Sequence, residues 1–123
     1  MNNYVLLVDD DPINNLIIRK EIEKQAPTTE VKTFQSGLAA LEFLKTAAVL
    51  PGLILLDINM PDFSGWEFLK NYSAQPNPAS VFMITSSLIR KDREKARDFT
   101  VVKDYLIKPL SFEDVQKIIR AII

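Results

Sequence analysis

The chain has 123 residues, a formal net charge of −1, 47% hydrophobic and 25% charged residues, which fits one ordinary domain with an apolar core. It contains no cysteine and no histidine, which excludes disulfides, thiol chemistry, a cysteine zinc site, the usual general base and the usual transition-metal ligand. No basic stripe points to nucleic acid, no apolar run approaches the ~20 residues of a membrane span, and the start lacks a secretory n-region, so a soluble cytoplasmic protein is expected.

Tyr4 to Val8 reads as a short buried strand running into Asp9-Asp10-Asp11. Asp11 is a good N-cap and Pro12 a favoured first helical residue, so a helix is predicted from there to about Gln25, ended by Pro27. Its inward face is predicted from Ile13, Leu16 and Ile17, spaced i, i+3, i+4. Thr29 to Phe34 alternates charged and apolar residues, as an edge strand with one wet face does. Ser36-Gly37 opens a second helix with Leu38, Leu41 and Leu44 predicted inward, and Pro51-Gly52 is a turn. Leu53 to Leu56 is an unbroken apolar run that ends in Asp57, the mark of a strand covered on both faces in a parallel sheet. A lone carboxylate buried in that layer is costly, so Asp57 is expected at the carboxyl edge, where open α/β sheets bind ligands.

Beyond Pro61, Ser64-x-x-Glu67 is a candidate capping box for a third helix, with Trp66 and Leu69 predicted inward and an end before Pro76 and Pro78. Ser80 to Thr85 is another buried strand, ending in the hydroxyls Thr85, Ser86 and Ser87. Leu88 to Phe99 is strongly charged, with only Ile89, Ala96 and Phe99 as anchors, and reads as a weakly held helix. Asp104 to Ile107 is a short last strand leading to Lys108-Pro109, and Ser111-x-x-Asp114 caps a final helix with a Val115, Ile118, Ile119, Ile122 stripe. Five strands alternating with five helices predict a doubly wound parallel α/β sheet with right-handed crossovers, as one domain over residues 1–123.

Four strand ends then bring chemistry to one edge: Asp9 and Asp10, Asp57, Thr85 and Lys108. Taken singly, each has a plainer role: N-cap, turn starter, β-former, turn residue. Their coincidence at one edge carries the functional argument. Three carboxylates in one place repel unless a cation joins them, and oxygen ligands without histidine select a hard ion, Mg²⁺ over Zn²⁺. A nearby lysine can hold a phosphoryl oxygen and a threonine hydroxyl can donate to another, so the set suits phosphoryl chemistry with an aspartate as acceptor.

Val8-Asp9-Asp10, Asp57-Ile-Asn-Met-Pro61 with Gly65, Ile84-Thr85-Ser86 and Tyr105-Leu-Ile-Lys108-Pro109 resemble, in order and spacing, the receiver domains of two-component response regulators, the group that includes the bacterial chemotaxis receiver. The resemblance implies a flavodoxin-like (βα)5 fold with strand order 2-1-3-4-5. It implies that Asp57 accepts a phosphoryl group from a histidine kinase or phosphotransfer protein, and that Asp9, Asp10, Asp57 and the Asn59 carbonyl hold Mg²⁺. It further implies that Lys108, joined to Pro109 by a cis bond, pairs with the phosphoryl group and that Thr85 bonds to it. Tyr105 would turn inward as Thr85 moves, and Ser86 is the small residue beside the phosphoryl group. The face of the fourth helix, fifth strand and fifth helix, with Arg90, Lys91, Arg93 and Arg97, is then the expected partner surface. Two departures stand out: Phe63-Ser64 where family members often carry Met-Asp, and Val101-Val102 where they often carry Gly-Ala. Valine lacks glycine's left-handed freedom, so an altered exit from the fourth helix is expected.

The expected function is phosphorelay signalling by a binding module, not an enzyme, beyond weak self-phosphorylation from small donors and self-dephosphorylation. The downstream protein is unknown, no nucleic acid or membrane is expected as partner, and the expected state is a monomer or weak dimer. An aspartate-nucleophile phosphatase is the alternative, but it would want a second aspartate as general acid where this chain has Asn59. A flavodoxin-like cofactor binder would want glycine or hydroxyls where Asp9-Asp10-Asp11 stand. The chain stops with its fifth helix, which suggests a stand-alone or excised receiver.

Overall fold

The computed structural model describes residues 4–61, 63–86 and 90–122. In chain order these form β1 (Tyr4–Val8), α1 (Pro12–Gln25), β2 (Glu30–Phe34), α2 (Gly37–Thr46), β3 (Leu53–Asp57), α3 (Gly65–Tyr72), β4 (Val81–Thr85), α4 (Arg90–Ala96), β5 (Val102–Ile107) and α5 (Phe112–Ile122). The sheet order is β2-β1-β3-β4-β5, with every pairing parallel. This is the flavodoxin-like order expected, and all the strand ends that carry polar groups lie along one edge.

The strands β1, β3 and β4 are buried throughout, because their side chains point alternately into two apolar layers. Leu6, Val8, Ile54, Leu56 and Met83 meet α2 and α3 through Leu41, Leu44, Phe68 and Leu69. Val5, Leu7, Leu53, Leu55 and Ile84 meet α1 and α5 through Ile18, Ile22, Val115 and Ile118. Each such buried side chain contributes about 1.5–3 kcal/mol relative to exposure. The capping box of α3 forms as predicted, with Glu67 N–H donating to Ser64 Oγ at 3.2 Å and Ser64 N–H donating to Glu67 Oε1 at 3.3 Å. Ser111 and Asp114 cap α5 reciprocally, each bond 3.0 Å long.

Two predicted helix faces are corrected. On α1, Ile13, Leu16 and Ile17 face solvent at 68%, 42% and 53% exposure, and the buried positions are Asn15, Ile18 and Ile22. The Asn15 amide donates from Nδ2 to the Asp9 carbonyl at 2.9 Å, which fixes the rotation of the helix and turns Ile18 and Ile22 to the sheet. On α2, Leu38 is exposed while Gly37, Ala40, Leu41 and Leu44 face inward. There the bare Gly37 lies against Phe63 and Met60, and residues three, four and seven further on follow it to the same side.

Trp66 is half-buried and packs against the core, with its ring 4.7 Å from the Lys95 ammonium and stacked on Phe99 at 6.4 Å. The last strand starts at Val102, earlier than predicted, with a shift of register as Val81 faces Val102 and Phe82 faces Asp104. The exit from α4 uses no left-handed residue: among the described residues only Asn77 is a non-glycine with positive φ. Phe99 N–H donates to the Ala96 carbonyl at 3.1 Å and Val102 N–H to that of Phe99 at 3.0 Å, so tight turns replace a glycine stop. The anchor Ile89, with Ser87 and Leu88, lies outside the described residues.

Candidate phosphoacceptor site

Asp9 is held from every side. Its backbone N–H donates to the Phe34 carbonyl at 3.0 Å, which extends the β1–β2 pairing by one residue. Its Oδ1 accepts from the Asp11 N–H at 2.9 Å, and its Oδ2 accepts from Lys108 Nζ at 2.8 Å. Asn15 holds its carbonyl, as described above. Asp11 in turn caps α1, accepting from the Ile13 N–H at 2.9 Å. Sequence reasoning missed Asn15. The signal available was that it shares a helical face with Ile18 and Ile22.

Asp57 ends β3 across from Asp9, and its carboxylate lies 3.5 Å from the same Lys108 ammonium. The chain behind it is closely packed: a Cβ on Gly65 would come within 2.5 Å of the Asp57 carbonyl oxygen, and Gly65 N–H donates to the Ile58 carbonyl at 2.9 Å. Only glycine permits this approach, which explains its place after the Asp57 motif. Lys108 is presented by β5, through a backbone bond of 2.8 Å from its N–H to the Thr85 carbonyl, and the Lys108–Pro109 bond is cis.

One oxygen each from Asp9, Asp10 and Asp57 lies within 4.8 Å of the others. The Asp57 carboxyl is pushed up to about 6, first by burial and then by the Asp9 charge, against the opposing pull of Lys108 and of the Asn59 N–H that donates to it. A cluster that raises a carboxyl in this way gains by taking up a cation. The donor set of Asp9, Asp10 and Asp57 is all oxygen and fits a hard divalent ion.

The remaining sequence-predicted residues are gathered at the same end of the sheet. Thr85 is fully buried at the end of β4, Ser86 follows it and is exposed, and Tyr105 lies on the neighbouring strand. The Tyr105 ring is buried, with the Arg93 guanidinium 5.3 Å from its centroid.

A parallel five-stranded sheet with three carboxylates and a lysine on its carboxyl edge defines a flavodoxin-like α/β domain with an acidic site. A sequence profile of the response regulator receiver domain matches residues 5–120, and the chain belongs to that family. A probable C4-dicarboxylate response regulator, DctR of Halalkalibacterium halodurans, is 35% identical over 89% of this chain, which spans 46% of that protein. The crystal structure of a two-component response regulator from Cytophaga hutchinsonii is 32% identical, with a TM-score of 0.85 over 97% of this chain and 95% of that one. The Mn²⁺-bound form of response regulator Rcp1 is 27% identical, with a TM-score of 0.79 over 98% of this chain and 91% of that one. Two-component signalling is therefore the setting of this chain, and no helix among the described residues is long and apolar enough to cross a membrane.

Proposed function

We propose that residues 1–123 act as one phosphorylation-controlled receiver, in which Asp57 accepts a phosphoryl group from a phosphohistidine of a kinase or phosphotransfer protein. The observation that carries this reading is the meeting of Asp9, Asp10 and Asp57 within 4.8 Å, with Lys108 2.8 Å from Asp9 and 3.5 Å from Asp57. Asp57 Oδ attacks phosphorus, the N–P bond breaks, and the imidazole leaves with the electron pair. Burial that raises the Asp57 carboxyl to about 6 makes its ionised form a better nucleophile while leaving it mostly ionised near neutral pH.

Asp9, Asp10, Asp57 and the Asn59 carbonyl would hold Mg²⁺, a reading to which the Mn²⁺-bound Rcp1 lends support. The ion, when bound, neutralises the carboxylates and offers a place for a phosphoryl oxygen. Lys108 then exchanges its contact with Asp57 for one with the phosphoryl group, as a point charge. Thr85 donates its hydroxyl to a second phosphoryl oxygen, and Ser86 lines the space beside it. Asn59 cannot act as the general acid of a hydrolase, which favours a signalling module over a phosphatase.

The donor has a surface to dock on. Ile13, Leu16 and Ile17 on α1, Leu38 at the start of α2 and Phe112 at the start of α5 are all exposed, and these helices begin at the edge that holds Asp57. Such apolar groups around a charged centre suit a protein donor better than a small one. Incubation with acetyl phosphate and Mg²⁺, followed by intact-mass measurement, should add one phosphoryl group to the wild type and none to Asp57→Asn. Equal labelling of both proteins would refute the assignment.

A further inference from the structure

Gly37 is buried although it opens a helix whose neighbouring positions Ser36, Leu38 and Ala39 are exposed. A Cβ at Gly37 would lie 2.9 Å from Phe63 Cδ2, 3.3 Å from Met60 Cε and 3.3 Å from the Phe63 carbonyl oxygen. Phe63 and Met60 belong to the loop that leaves Asp57, and between them and the strand stands Asn59, whose N–H donates to the Asp57 carboxyl. The loop is thus held at both ends by a missing side chain: Gly65 on the Asp57 backbone, and Gly37 under Phe63. The first belongs to the motif around the acceptor. The second comes from the connection after β2, which brings no charge to the site. A cavity of about 50 Å³ lies between this seat and Asp10, bordered by Gly37, Met60 and Phe63.

We propose that Gly37 and Phe63 are positioning residues, which together set the height of the Asn59 loop over the acidic trio and so tune which divalent cation it prefers. The inference rests on the metal-dependent reading above. Its physical basis is the narrow tolerance of Mg²⁺, which demands oxygens at about 2.0–2.1 Å in near-octahedral array, whereas Ca²⁺ accepts about 2.3–2.6 Å in looser geometry. A methyl group at Gly37 meets an aromatic carbon at 2.9 Å and a backbone oxygen at 3.3 Å, so part of the shift must pass into the loop main chain. A carbonyl lifted by a few tenths of an ångström is lost to the smaller ion before the larger one.

The test is Gly37→Ala, with Mg²⁺ and Ca²⁺ affinities taken from the cation dependence of thermal melting. Alanine is a better helix former than glycine, so a helix effect alone would leave or raise stability and treat both ions alike. The expected result is a fall of roughly threefold to tenfold in the ratio of Mg²⁺ to Ca²⁺ affinity, the size of coupling seen between residues in contact. Adding Phe63→Ala to Gly37→Ala removes the closest clash and should return the ratio towards the wild-type value. A wild-type ratio in Gly37→Ala, or a double variant no better than the single one, would overturn the proposal. Amide exchange at Asn59 and Met60 without any cation gives a second reading, expected to be faster in Gly37→Ala and in Phe63→Ala, and unchanged exchange in both would equally overturn it. A wild type that binds neither ion would refute the metal-dependent reading itself, whereas a wild type that binds both, with variants that keep its ratio, would refute only the role of Gly37 and Phe63.

Discussion

Asp9, Asp57 and Thr85 stand at the ends of strands buried along their whole length, whereas α4 buries only Ala96 among its described residues. The carboxylates are placed by central strands, by the Lys108 ammonium and by close glycine contacts. The α4 face is tied down by thinner means: Lys95 over Trp66, Trp66 on Phe99, and Arg93 over Tyr105 with a 3.4 Å bond to the Tyr105 carbonyl. Contacts of this kind are worth about 0.5–1.5 kcal/mol each. The difference teaches how one small domain divides its labour. The acidic end of the sheet is rigid because strands impose it, and the α4 face is held weakly enough to be shifted.

The largest effect expected on that contrast is at Asp57 itself. Its carboxyl is pushed up to about 6 by burial and by Asp9, so the folded protein takes up the proton more readily than the unfolded chain. Stability from this group is therefore full below the ordinary carboxylate range and is lost as pH rises through about 6. Without divalent cation, Asp57→Asn should be more stable than wild type by on the order of 3 kcal/mol at neutral pH, and the gap should close towards about pH 4. Denaturant titrations across pH would show it, and a gap independent of pH would mean that the repulsion is not stored at Asp57.

Next comes Gly65→Ala, whose Cβ would meet the Asp57 carbonyl oxygen at 2.5 Å and Ile58 Cα at 2.9 Å. Chemical denaturation should register a loss of about 1–3 kcal/mol, the usual cost of overpacking. Arg97→Ala, at the exposed exit of α4, should stay within about 0.5 kcal/mol by the same measurement. Equal costs at the two places would erase the contrast between the regions.

A smaller and more local effect is expected from Trp66→Ala. Losing its contacts to Lys95 and Phe99 should speed amide exchange along α4, with little change in the exchange of β1 and β3. Smallest of all, Ile17→Ser on the exposed face of α1 should leave stability and acetyl phosphate labelling nearly unchanged, yet slow transfer from a protein donor. Slowing of both reactions alike would show that Ile17 acts on the site and not on docking.

What could be read from the chain follows from the same division. The strands and the positions of Asp9, Asp57, Thr85 and Lys108 were legible, because an unbroken apolar run ending in a polar residue has few other uses. The faces of α1 and α2 were not. Ile13, Leu16 and Ile17 satisfy helical spacing locally, but the same stripe runs on into Lys20, Glu21 and Lys24, while the stripe of Ile18 and Ile22 begins with Asn15. Apolar count favoured the first stripe, and a single hydrogen bond from Asn15 to Asp9 selected the second. Gly37 was legible as a helix start but not as a seat for Phe63, because a contact between a helix start and a distant loop leaves no periodic trace.

The central claim is that a phosphoryl group at Asp57 is read out on the α4–β5 face. Amide hydrogen exchange in Mg²⁺, with and without beryllofluoride as the phosphoryl mimic, tests it most directly. The account predicts altered exchange across residues 90–107 with β1 and β3 unchanged. Identical exchange across 90–107 in both states, while the loops around Asp57 respond, would contradict it.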